Sequence, residues 1–180
     1  TGSISGDADA SFTLGTLEIT NIETFTGATM IENGKLVIGG GNPSSFPGAI
    51  TIDSDAILEI NYMFSAGSIS GSGGIHYAAP ALMLSIGSNG ENSEFSGTVT
   101  IDNSGSDKYF QKQGSGDFLF SGAFGTTDFP RVPQLVVADG RFDFTGSSEN
   151  PLSMSCNSGN SNICTSGNLP TPIASYQVST

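Results

Sequence analysis

The stretch from Phe25 to Ile60 constrains the chain most, because it states one pattern twice. The first copy runs Phe25-Thr26-Gly27-Ala28-Thr29-Met30-Ile31-Glu32-Asn33-Gly34-Lys35-Leu36-Val37-Ile38, and the second Phe46-Pro47-Gly48-Ala49-Ile50-Thr51-Ile52-Asp53-Ser54-Asp55-Ala56-Ile57-Leu58-Glu59-Ile60. Each copy is an aromatic and a glycine, a short strand, a polar turn at Glu32-Asn33-Gly34 or Asp53-Ser54-Asp55, and a second strand of alternating apolar residues. A tandem unit of about 20 residues marks a solenoid, in which no unit buries its own apolar face and stacking does the burying.

The alternation begins at Ser11, with Phe12, Leu14, Leu17 and Ile19 at strand spacing and Gly15 at an expected corner. A third unit opens near Phe64 and runs through Ile69 and Ile75 to Ile86. The fourth carries Phe95-Ser96-Gly97-Thr98-Val99 and Tyr109 to Gly122, and the fifth Gln134 to Gly146, whose Gly140-Arg141-Phe142-Asp143-Phe144 echoes Gly34-Lys35-Leu36-Val37-Ile38. Most phenylalanines recur at unit positions and read as an internal stack. Pro47 lacks a ladder donor and belongs at a corner. The organisation expected is an N-terminal cap or arm over residues 1–10, a repeat-built solenoid over 11–146, and a loop-rich C-terminal cap over 147–180.

Twenty-five glycines, no Trp, and Ser, Thr, Asn and Asp crowded between short apolar runs favour many strands and tight turns over helices. The fold expected is all-β, a parallel β-helix. An antiparallel β-sandwich or jelly roll is the alternative, since short alternating strands do not by themselves decide the direction of pairing.

These units resemble the autotransporter-associated β-strand repeat of bacterial autotransporter passenger domains. The resemblance rests on Phe25-Thr26-Gly27-Ala28-Thr29 with Asn33-Gly34-Lys35-Leu36, on Ser68-Ile69-Ser70-Gly71-Ser72-Gly73-Gly74-Ile75, and on Lys112 to Gly122, and it spans roughly residues 11 to 146. It implies a right-handed parallel β-helix at a bacterial surface, often in adhesins, and it brings no active site with it.

A formal charge of −12, from 5 Lys plus Arg against 17 Asp plus Glu, repels nucleic acid and anionic lipid, so neither is an expected partner. Cys156 and Cys164 sit in a Gly/Asn/Ser-rich stretch that closes easily, with no metal-ligand spacing and no neighbouring His. They read as a disulfide, hence an oxidising, extracellular setting. No apolar run is long enough to span a bilayer and no basic-plus-apolar segment opens the chain, so a mature or excised soluble region without membrane insertion is expected.

Chemistry is sparse. His76, the one histidine, has no acid or nucleophile near it in sequence and reads as a turn or rung-edge residue. The pairs Asp7/Asp9 and Asp53/Asp55 have the spacing that shares a strand face, as glycoside hydrolysis or a cation requires, yet Asp53/Asp55 aligns with turn positions. The better metal candidate is Asp102-Asn103-Ser104-Gly105-Ser106-Asp107. There Asp102, Asn103, Ser104 and Asp107 supply the oxygen ligands calcium prefers, although the closing Glu of an EF-hand is missing. Gly114-Ser115-Gly116 is a turn, not a phosphate cradle.

The function expected is that of a secreted or cell-surface structural or adhesive scaffold with a host-surface or matrix ligand, and no enzyme. Open solenoid ends or terminal strands would join copies into homo-oligomers or filaments. The alternative is a polysaccharide-active β-helix lyase or hydrolase, for which Arg131 and Arg141, the only arginines, are a thin supply.

Overall fold

The computed structural model describes residues 5–6, 10–19, 24–39, 44–78, 83–102, 109–125, 134–144 and 175–177. Within them seventeen strands wind as an all-β parallel solenoid of about four turns. A two-stranded parallel pair, β1 (Ser5–Gly6) and β3 (Thr24–Phe25), stands beside the main stack.

Three faces make up that stack. The first takes the C-terminal halves of β2 (Ala10–Ile19) and β4 (Thr29–Ile38), then β6 (Ala56–Ile60), β8 (Gly74–Tyr77), β11 (Thr98–Ile101) and β14 (Ala123–Gly125). The second takes the N-terminal halves of β2 and β4, the ends of β5 (Ser44–Ile52) and β7 (Phe64–Gly71), then β10 (Ser93–Phe95), β13 (Asp117–Phe120) and β16 (Arg141–Phe144). The third takes the starts of β5 and β7, then β9 (Met83–Ile86), β12 (Tyr109–Lys112) and β15 (Gln134–Val137). Every pairing among these strands is parallel, which excludes the antiparallel sandwich or jelly roll. The one antiparallel strand, β17 (Ser175–Gln177), lies along β16.

Strand alternation sends every second side chain inward, and parallel stacking aligns like positions into columns. On the second face Ile31, Ile52, Gly71, Phe95 and Phe120 share one column, and Thr29, Ile50, Ile69, Ser93, Phe118 and Phe142 the next. The first face contributes Leu36, Leu58, Ile75 and Val99, the third Phe64, Leu84 and Phe110, and all of these are buried. The expected stack of phenylalanines is present: Phe46 meets Phe64 edge-on at 5.4 Å, and Phe118 lies 6.0 Å from Phe110 and 5.1 Å from Phe142.

The two copies read in the sequence pair as aligned, Thr29 on Ile50 and Ile38 on Ile60. The expected corner at Gly15 coincides with a register shift and a φ of 87°, and Pro47 falls within the shift between Phe46 and Ala49. Asp53 to Asp55 form the turn between β5 and β6. Two similarities prove to cross faces. Phe46-Pro47-Gly48 turns from the third face to the second, whereas Phe95-Ser96-Gly97 turns from the second to the first. Likewise Arg141–Phe144 lies on the second face and Lys35–Ile38 on the first.

The corner from second to first face is tight. A Cβ on Gly97 would lie 1.9 Å from the carbonyl oxygen of Gly73, and one on Gly122 1.9 Å from that of Gly97. Only glycine lets successive turns approach this closely.

Candidate functional site

The first face carries the densest chemistry, on its outward side. In β6 and β8 inward Leu58 and Ile60 alternate with outward Glu59, and inward Ile75 and Tyr77 with outward His76. Parallel register sets Glu59 directly beside His76, and His76 beside Thr100 of β11. Two residues beyond Thr100, Asp102 returns to the same side, its backbone N–H donating to the Tyr77 carbonyl at 2.8 Å.

The result is a chain of four side chains crossing four turns. Lys35 Nζ donates to Glu59 Oε2 at 2.6 Å, His76 Nδ1 lies 3.3 Å from that same oxygen, and His76 Nε2 lies 3.1 Å from Asp102 Oδ1. Glu59 is the most covered of the three carboxylate and imidazole groups, at 17% exposure against 29% for His76 and 52% for Asp102. Its hydrogen bond from Lys35, and less so that from His76, holds its carboxyl below the ordinary range against the opposing effect of burial.

His76 is therefore neither in a turn nor at a rung edge. It is the third residue of β8, and its acids come from 17 and 26 residues away in sequence. The repeat was the available signal, since aligning Leu58-Glu59-Ile60 with Ile75-His76-Tyr77 places the two polar residues side by side. Of the calcium candidates, Asp102 is exposed and engaged with His76, while Asn103, Ser104 and Asp107 lie outside the described residues, as do Asp7 and the cysteines Cys156 and Cys164. Among the described residues no group of three or more His, Cys, Asp or Glu side chains has the arrangement of a metal site.

A second charged group lies inside the solenoid. Lys112 stands in the inward column of Phe46, Ala66, Ile86 and Val137, fully buried. Its ammonium donates to the carbonyls of Gln113 at 2.6 Å and Gly114 at 2.7 Å, and reaches that of Asp139 at 3.5 Å. Burial lowers its proton affinity, offset in part by the charges of Asp139 and Asp117. Enclosed as it is, this amine acts as a plug for the corner. Elsewhere polar pairs tie turn to turn, Thr51 with Ser70, Ser85 with Gln111, and Ser121 with Glu94.

No protein-family model matches the chain, and no curated protein or solved structure matches it.

Proposed function

We propose that this chain is a stiff structural module of a secreted or cell-surface bacterial protein, wound right-handed as in autotransporter passengers. Its task is to hold its connecting segments, and an adhesive ligand they engage, away from the cell. The observation that carries this reading is the unbroken parallel pairing along three faces, reinforced outside by polar side chains bonded from turn to turn. Backbone ladders in three directions resist bending more than a packed bundle of loops does. Cohesion that is repeated from turn to turn suits a spacer.

Electron microscopy of the purified chain tests the reading directly. A short rod is expected, with end-to-end filaments where copies join. A compact, readily deformed particle that shows no retention on immobilised matrix proteins or glycans would overturn it.

A second reading draws on the Asp102–His76–Glu59 chain, which places two carboxylates and an imidazole on one solvent-facing strip. It is that of a polysaccharide-active hydrolase or lyase. Its test is turnover of acidic polysaccharides with and without calcium, compared between the wild type and Asp102→Asn.

A further inference from the structure

We propose that His76 is a proton-dependent clamp across three turns of the solenoid. A protonated imidazole has two N–H donors on opposite edges of its ring, and a neutral one has one donor and one acceptor. Here both edges face carboxylate oxygens, Glu59 Oε2 at 3.3 Å and Asp102 Oδ1 at 3.1 Å. Carboxylates only accept, so the geometry is satisfied on both sides by the charged ring alone. With the ring neutral, one of the two contacts sets a lone pair against an anion.

Charge along the chain leads to the same state. From β4 to the end of β11 the groups are Lys35, Glu59, His76 and Asp102, which with the ring protonated alternate plus, minus, plus, minus. These are the charged groups that face the imidazole: Glu59 from β6, Lys35 from β4 through Glu59, and Asp102 beyond β11. Glu18 of β2 continues the same column on the far side of Val37. Glu59 keeps its charge under mild acid because Lys35 holds its carboxyl below the ordinary range. Mild acid therefore tightens β6, β8 and β11 against one another, and loss of the proton releases one of the two ties. The inference stands on this geometry, apart from the scaffold reading.

Melting the wild type and His76→Gln near pH 5.5 and near pH 8.5 tests it, since glutamine can donate to one side only. The wild type is expected to melt about 2–4 °C higher at the lower pH, and within about 1 °C of the variant at the higher. Asp102→Asn, which keeps an acceptor but not its charge, should lose part of the low-pH advantage. A gap of equal size at both pH values would mean a purely structural role and would overturn the clamp. Because the chain has one histidine, its ring N–H signals are assigned without ambiguity by NMR. Near pH 5.5 both should be visible and protected from exchange, and exchange broadening of either would also sink the proposal.

Discussion

The turns before β8 and those after β9 share three faces but are filled differently. Early in the stack, partners on the second face lie 21 residues apart at Ile31–Ile52 and 19 at Ile52–Gly71. Later the separations are 24 at Gly71–Phe95, 25 at Phe95–Phe120 and 24 at Phe120–Phe144. The core changes in step: Ile50 and Ile69 give way to Phe118 and Phe142 in one column, and Lys112 enters another. Interiors are packed to near-crystalline density, so a longer turn that encloses more space has to fill it. The corner from third to second face widens from Pro47-Gly48 to residues 87–92 and 113–116. There backbone carbonyls turn inward, and an ammonium satisfies them where a hydrocarbon would not.

Exchanging the fillings would break this comparison if it is wrong. Phe118→Ala removes a ring that touches Phe110 and Phe142 and should lower stability by about 3–5 kcal/mol. Ile50→Phe, in the same column of a short turn, should lose about 1–3 kcal/mol through overpacking. Denaturant titration measures both, and an Ile50→Phe protein as stable as the wild type would show the early turns to be equally wide. Lys112→Met keeps the bulk but strands the Gln113 and Gly114 carbonyls, with an expected loss of about 1–3 kcal/mol in the same titration.

Smaller effects sharpen the early side. Thr29 presents a buried hydroxyl, Oγ1, with no hydrogen-bond partner, in a column otherwise filled at that end by Ile50 and Ile69. Thr29→Val should raise stability by about 1 kcal/mol, seen as a higher melting temperature. The smallest is the Lys35–Glu59 pair. Because Glu59 ionises more readily folded than unfolded, its contribution is complete above about pH 4.3 and fades as pH falls through the lower folded value. For so exposed a pair it amounts to about 0.5 kcal/mol, and Glu59→Gln should remove that part of the acid sensitivity in melts from pH 6 downward.

The all-β solenoid was legible because Phe25 to Ile60 repeats within about one turn's length, and the matching register of Ile38 and Ile60 bears this out. Phase within the later turns was not legible. All three faces are glycine-cornered strands of alternating residues, so Phe95-Ser96-Gly97 looks like Phe25-Thr26-Gly27 while standing one corner further round. The polar chain at His76 was missed for a related reason. Its members are scattered over 68 positions, from Lys35 to Asp102, and meet only when turns are stacked in register. Nor does a hydrophobic pattern predict Lys112 as an inward residue, since what holds it there is a set of backbone carbonyls.

The glycine corner has a consequence for how such a chain can change. Between second and first faces the link is two residues in three successive turns, at 72–73, 96–97 and 121–122, and backbone contact leaves no slack there. Between first and third faces the links run from three residues at 61–63 to eight at 126–133. Inserted sequence is thus admitted along a single seam of the prism, and new segments gained over time accumulate in one row, displayed side by side on an otherwise unaltered spine.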